Sequence, residues 1–271
     1  MTMALIDLKH ISKAFGPLVV LNQLDLAIQA GQSLVVIGAS GTGKSVLLKH
    51  IVGLLKPDSG EIWFDGNRVD AMPERDLMDL RTRFGFLFQM GALFDSLDVC
   101  DNIAFPLVEH TKKSPNAIKE IVAQKLEMVG LPHFEKKMPA QLSGGQRKRV
   151  ALARAIALDP QVILYDEPTT GLDPVRADVI NQLIIKLKNE LKVTSITVTH
   201  DMASAFKIAD RIVMLHEGKI IFDGTPEEIQ KTDNALVHQF VVGEASETEL
   251  AALDEAEEQA KVGGAADKDA G

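Results

Sequence analysis

The sequence predicts an α/β fold, and three observations carry that expectation. Leu34-Val35-Val36-Ile37 is a short apolar, β-branched run of the kind buried in a parallel sheet, and it leads through a glycine-rich turn into residues at helical spacing. Two more such runs, Val162 to Tyr165 and Ser195 to Thr199, end at titratable side chains. Loosely alternating segments flank these runs at both ends of the chain, which adds antiparallel strands to the parallel core.

In chain order, Leu5 to Ile11 reads as an edge strand, and Leu18 to Ile28 as two short strands turning near Asn22. Between them Phe15 stands before Gly16, where an aromatic ring either stacks on a nucleotide base or packs in the core. The buried run 34–37 then opens into Gly38-Ala39-Ser40-Gly41-Thr42-Gly43-Lys44-Ser45, which fits G-x-x-x-x-G-K-[ST]. Val46, Leu47, Leu48, Ile51, Val52, Leu54 and Leu55 continue at helical spacing. Glycines let backbone N–H groups converge on phosphate oxygens, and the helix N-terminus adds partial positive charge. Lys44 reaches the β- and γ-phosphates, and the Ser45 hydroxyl is a ligand for Mg²⁺. The expected ligand is a nucleoside triphosphate.

Residues 57–70 read as turn, strand, turn, and Phe84 to Phe88 as a strand ending at Gln89. Ser114 and Pro115 open a helix with Ile118, Ile121, Val122, Leu126 and Val129 on one face, closed by Gly130 and Pro132. Residues 90–159 are therefore expected to form a helical insertion in the α/β core. Within it, Leu142-Ser143-Gly144-Gly145-Gln146 is a second glycine turn before a helical run from Arg147 to Leu158. Val162 to Tyr165 ends in Asp166-Glu167, two carboxylates where α/β sheets bind ligands. Asp166 is expected to hold the Mg²⁺ water shell and Glu167 to orient or deprotonate the attacking water. His200, ending the next strand, is expected to contact the γ-phosphate. Residues 211–215 and 219–222 form a hairpin through Glu217-Gly218, and Thr225-Pro226-Glu227-Glu228 opens a last helix.

Composition adds bounds. The 271 residues are 46% hydrophobic and 25% charged, with no apolar run long enough to span a bilayer and no signal peptide. Cys100, the single cysteine, makes neither an intrachain disulfide nor a metal site, which suits a reducing, cytoplasmic setting. From Glu244 on, nine acids face two lysines, so most of the net charge of −9 lies in a tail expected to be solvated or frayed. Leu250 and Leu253 leave open a short partner-binding helix there. The charge balance gives no sign of nucleic-acid binding.

The ordered set Gly38–Ser45, Gln89, Leu142–Gln146, Leu164–Glu167, Gly171-Leu172-Asp173 and His200 resembles the nucleotide-binding subunits of ABC transporters over about residues 5–230. That resemblance implies a P-loop NTPase (RecA-like) core with an N-terminal antiparallel β subdomain and a helical signature subdomain. It implies an ATPase domain over 1–243, with the tail at 244–271, and ATP and Mg²⁺ as cofactors. Phe15 takes the adenine-stacking position, usually Tyr in that family. Gly38 to Val46 hold the nucleotide, and Gln89 senses Mg²⁺ and the attacking water. Asp173 lines the dimer interface. Ser143, Gly144, Gly145 and Gln146 close on the ATP of a second copy.

The stretch Gln89 to Leu97, then Asp101 to Leu107 with Glu109-His110, and Val237, Gln239 and Phe240 are similar to the ATPase of the bacterial Mla (maintenance of lipid asymmetry) family. This narrower resemblance implies phospholipid trafficking from the cytoplasmic face of the inner membrane. The implied partners are integral membrane permease subunits, an MCE-domain lipid-binding protein and a small STAS-domain subunit. Met90, Leu93, Phe94 and Leu97 make an apolar cluster that suits either a docking helix or burial in the chain's own insertion. A chromosome-maintenance ATPase would carry a long coiled coil between phosphate loop and signature, and a translation factor two motif sets. A non-hydrolysing scaffold would lack Glu167 or His200. An importer or exporter of another substrate is the alternative.

Overall fold

Residues 4–244 are described in the structure, a computed structural model. Two compact units divide between Pro226 and Glu227. The sites at Leu250 and Leu253 lie outside the described residues.

The larger unit is built on two sheets. Four strands, β1 (Ile6–Phe15), β2 (Leu18–Ile28), β4 (Ser59–Phe64) and β5 (Asn67–Arg68), form an antiparallel sheet in the order β2-β1-β4-β5. β1 is thus an interior strand and not the expected edge: Ile6 pairs with Ile28 on one side and Phe64 on the other. The loose alternation has a local cause, since the β1–β2 register shifts three times between Leu8 and Ala14. β2 is one strand where the sequence suggested two. Asn22 and Gln23 are a bulge, with Gln23 at φ +47 and its N–H donating to Ser12 Oγ at 3.0 Å.

The second sheet has the order β10-β9-β3-β8-β7-β6, from β3 (Ser33–Ile37), β6 (Phe84–Leu87), β7 (Val162–Asp166), β8 (Thr194–Val198), β9 (Arg211–His216) and β10 (Lys219–Gly224). Its first five strands in space after β10 run parallel, and β10 returns antiparallel through Glu217 and Gly218, both at positive φ. β3 and β8 are buried along their whole length. Leu34, Val36, Leu164, Ile196, Val198 and Val213 join one core with Ile6, Leu8, Leu47 and Leu48. Burying such a side chain fully is worth about 1.5–3 kcal/mol.

Helix α1 (Lys44–Ile51) follows β3 and ends earlier than its apolar spacing suggested, because Gly53 turns the chain at φ +66 and leaves Leu54 exposed. Helix α2 (Glu74–Arg81) precedes β6. The insertion holds α3 (Val99–His110), α4 (Pro115–Met128) and α5 (Gly144–Ala155). Ser114 Oγ caps α4 by accepting from Ala117 N–H. α6 (Pro174–Leu191) and α7 (Met202–Ile208) complete this unit, and α8 (Pro226–Ile229) begins at its boundary. The described part of the second unit contains α9 (Ala235–Val242). No helix among the described residues is long and apolar enough to cross a membrane.

Candidate functional site

Parallel neighbours deliver their carboxyl ends to one edge of a sheet. β3 ends at the glycine loop, β8 before Thr199 and His200, β7 in Asp166 and Glu167, and β6 before Gln89. These strands are adjacent in the order β3-β8-β7-β6, so four segments far apart in sequence converge. They border a cleft of about 460 Å³ lined by Phe15, Leu18, Val20, Ser40, Gly41, Gly43, Lys44, Ser45, Val46, Gln89, Glu167 and His200.

The loop at 38–43 requires glycine at its first position for a steric reason. Gly38 has φ +149, and a Cβ there would sit 2.3 Å from the Leu215 carbonyl oxygen of neighbouring β9. Lys44 is buried at the start of α1, and its ammonium donates to the carbonyls of Gly38 at 2.7 Å and Ala39 at 2.9 Å. Burial pushes its pKa down, opposed by Glu167 and Asp166. Thr42 Oγ1 also donates to Ala39 O, at 2.9 Å.

Ser45 Oγ donates to Asp166 Oδ1 at 2.9 Å. Burial pushes the Asp166 carboxyl up, and the hydroxyl opposes that. A hydroxyl beside a carboxylate is a set of hard oxygen donors, which fits Mg²⁺ and not a soft metal. Exposed Gln89 at the mouth of the cleft offers a further oxygen.

Glu167 is held through both its backbone and its carboxylate. Its backbone sits at φ +50, and its N–H donates to Val198 O at 2.9 Å. His200 Nδ1 lies 2.9 Å from Oε1, while Thr170 and Thr199 donate to Oε2 at 3.1 and 3.3 Å. Such a carboxylate is oriented on three sides and can take a proton from water in the cleft.

Phe15 is 46% exposed and lines the cleft, which removes the core alternative for it. Ser143, Gly144, Gly145 and Gln146 are not brought to this cleft. They form the N-terminus of α5, where Ser143 Oγ accepts from Gln146 N–H at 3.3 Å and Gln146 Oε1 accepts from Ser143 N–H at 2.9 Å. Asp173 caps α6 by accepting from Arg176 N–H.

Two lining residues, Leu18 and Val20, were not singled out in the sequence. Their signal is position, since β2 starts three residues after Phe15. In the 90–97 segment, Met90 is 86% exposed and Phe94 42%, whereas Leu93 and Leu97 are half-buried. The Phe94 ring rests on Phe105 of α3 at 4.9 Å between centroids, and Val108 extends the exposed apolar surface.

The ABC transporter family profile matches residues 21–170, more than half of the chain. The chain belongs to the ABC transporter family. It is an ABC ATPase and is 44% identical over 245 residues to the intermembrane phospholipid transport system ATP-binding protein MlaF of Haemophilus influenzae, covering 90% of this chain and 93% of that one. The Escherichia coli K12 protein of the same name is 41% identical over 88% of this chain and 89% of its own length. A probable ribonucleotide transport ATP-binding protein of Mycobacterium leprae is 45% identical over 88% of this chain and 69% of its own. The Mycobacterium bovis protein of that name is spanned over 66% of its length. Among solved structures, a dimeric ATP-binding cassette in a post-hydrolysis state with ADP and Pi superposes with TM-score 0.75 at 33% identity, covering 82% of this chain and 98% of that one. A Clostridium perfringens ABC transporter component reaches TM-score 0.78 at 30% identity, covering 89% and 99%. As an ABC ATPase, the chain thus has the P-loop α/β fold expected of it.

Proposed function

We propose that this ABC ATPase energises phospholipid movement between bacterial membranes, working as an ATP-closed pair beneath a membrane permease at the cytoplasmic face of the inner membrane. The observation that carries the catalytic part is the meeting of Lys44, Ser45 and Glu167 in one cleft. The phospholipid part is supported by the relatives named for intermembrane phospholipid transport, one matched over 93% of its length.

In this reading Phe15 stacks on adenine, and Gly38 to Val46 hold the phosphates with backbone N–H groups. Lys44 exchanges its two carbonyl partners for phosphate oxygens. Ser45, Asp166 and Gln89 would hold Mg²⁺, which would supply charge neutralisation at the phosphates. Glu167 takes the proton of the attacking water, and His200 keeps that carboxylate aimed while facing the γ-phosphate. Ser143, Gly144, Gly145 and Gln146 serve the nucleotide of a second copy, a role supported by their absence from the lining of their own cleft.

Met90, Phe94, Phe105 and Val108 form the surface on which a permease helix docks. A permease bound there also meets an MCE-domain lipid-binding protein, and a small STAS-domain subunit joins the ATPase. The test is purification of the membrane complex with Phe94→Asp and Leu93→Asp, each checked for folding and ATP binding. Copurification of permease with wild type and its loss in both variants, with phospholipid in the wild-type complex, is expected. Retained assembly in both would remove the docking surface. A ribonucleotide in place of phospholipid would favour the function in the mycobacterial relatives' name.

A further inference from the structure

Lys148 lies in the second turn of α5 and is only 6% exposed. Its ammonium group donates to three backbone carbonyls: Pro168 at 2.7 Å, Thr170 at 2.8 Å and Glu167 at 3.3 Å. All three oxygens belong to the turn that leaves β7. That turn begins with Glu167 in the left-handed region at φ +50, a conformation that residues other than glycine rarely adopt. Thr170, whose carbonyl Lys148 holds, is also the residue whose hydroxyl donates to Glu167 Oε2. Lys148 therefore grips both the backbone of the acid and the residue that orients its side chain.

Burying an amine is costly, and desolvation pushes the Lys148 pKa down to about 8, opposed by the nearby Glu167 charge. A turn that needed only hydrogen-bonded carbonyls could take its donors from water or a neutral side chain. The ammonium supplies three donors from one point, which is what a strained turn with three convergent carbonyls requires. The helix that carries it is also informative. α5 opens with the reciprocally capped turn Ser143–Gln146, and Lys148 sits two residues beyond Gln146. Over so short a length a helix moves as a rigid piece, so displacement of the capped turn displaces the ammonium group.

We propose that Lys148 is a positioning residue for hydrolysis, fixing the strained turn under Glu167 from the helix that bears the signature turn, so that seating of the signature and alignment of the base change together. It touches neither nucleotide nor metal and acts through Glu167. The proposal rests on the reading of Glu167 as the base. It also gives the pair of subunits a route by which nucleotide bound in one copy, through the signature of the other, reaches that other copy's acid.

The experiment compares steady-state ATP hydrolysis and ATP binding of wild type, Lys148→Met, Lys148→Gln and Glu167→Gln, with thermal melting of each. Lys148→Met keeps the apolar stem and loses every donor; Lys148→Gln restores two. The expected result is a kcat about tenfold lower or more for Lys148→Met with KM within about twofold, and partial recovery of kcat in Lys148→Gln. A Lys148→Met enzyme within about twofold of wild-type kcat overturns the proposal. So does a loss matched by a raised KM or by collapse of the melting transition without recovery in Lys148→Gln, since that marks a packing role. The Glu167→Gln arm separates the two readings. If that variant hydrolyses ATP near the wild-type rate, Glu167 is not the base and the positioning role falls with it. If it is inactive while Lys148→Met is unimpaired, only the positioning role falls.

Discussion

His200 Nδ1 stands 2.9 Å from Glu167 Oε1, joining the ends of two adjacent strands, β8 and β7, across the cleft. Glu167 is 9% exposed as a residue and its remaining oxygen is occupied by two threonine hydroxyls, so the imidazole is the one partner that faces the open side. Glu167→Gln keeps the shape and the backbone turn but removes the proton acceptor. It is expected to bind ATP as wild type does and to hydrolyse it about 10²–10³-fold more slowly. His200→Ala removes the partner of Oε1 while keeping the carboxylate itself, and the expected loss is about 10²-fold. Phosphate release and equilibrium ATP binding check both. A His200→Ala enzyme at full rate would mean that the threonines alone aim the acid.

Gly38 and Gly41 offer a paired test of the loop. A Cβ at Gly38 would meet the Leu215 carbonyl at 2.3 Å, while one at Gly41 would meet nothing within 4 Å. Both have positive φ, +149 at Gly38 and +84 at Gly41, so a Cβ strains the backbone at either, and the close contact with β9 is added at Gly38 alone. Gly38→Ala is expected to cost about 2–4 kcal/mol and to abolish nucleotide binding, against about 1 kcal/mol for Gly41→Ala. Melting curves with and without ATP measure both. Equal effects would show that backbone freedom, and not the approach of β9, decides the first glycine.

The parallel strands and the glycine loop were legible because their signals are local. A short β-branched run followed by G-x-x-x-x-G-K-S needs no distant partner to be understood. β1 was misread as an edge because pairing with β4 joins residues some fifty positions apart, as in Asp7 with Trp63. β2 was divided because a polar Asn22-Gln23 pair in a strand looks the same whether it turns the chain or bulges it. Lys148 and Asn102 were silent for a different reason. A buried polar side chain in a helix has no local mark, and its meaning lies in the carbonyls that the tertiary fold brings to it.

Asn102 is fully buried on α3 and accepts the Phe94 N–H at 2.8 Å, while its amide group donates to the carbonyls of Phe94, Leu97 and Asp98, each at 3.0 Å. It therefore shapes the 94–98 segment that carries the apolar surface beside Gln89. Asn102→Ala leaves one N–H and several carbonyls without that partner and is expected to destabilise the protein by about 2–4 kcal/mol. Hydrogen exchange should accelerate at the Phe94 amide, with ATP affinity changed by less than about twofold. Permease copurification should fall with it. Unchanged exchange at Phe94 would show that Phe105 packing is enough to hold the segment.

Lys148 also predicts a pH dependence of stability. Its native pKa of about 8 lies below the ordinary 10.5, because burial disfavours the ammonium. Below pH 8 both native and unfolded chains carry this proton, and the whole burial cost weighs on the native state. Between pH 8 and 10.5 the unfolded chain binds more protons than the native one, so stability rises with pH, by up to about 3 kcal/mol in total. Tyr165 acts in the opposite direction at the upper end. Burial pushes its phenol well above the usual 10.0, so the native state keeps a proton that the unfolded chain loses, and stability falls above that pH. The gain from Lys148 is therefore read between about pH 8 and 10. Denaturation midpoints at about pH 7.5 and 9.5 should differ less in Lys148→Met than in wild type. An identical pH slope in the two proteins would mean that the ammonium is no more costly in the fold than in water, and that other groups set the slope.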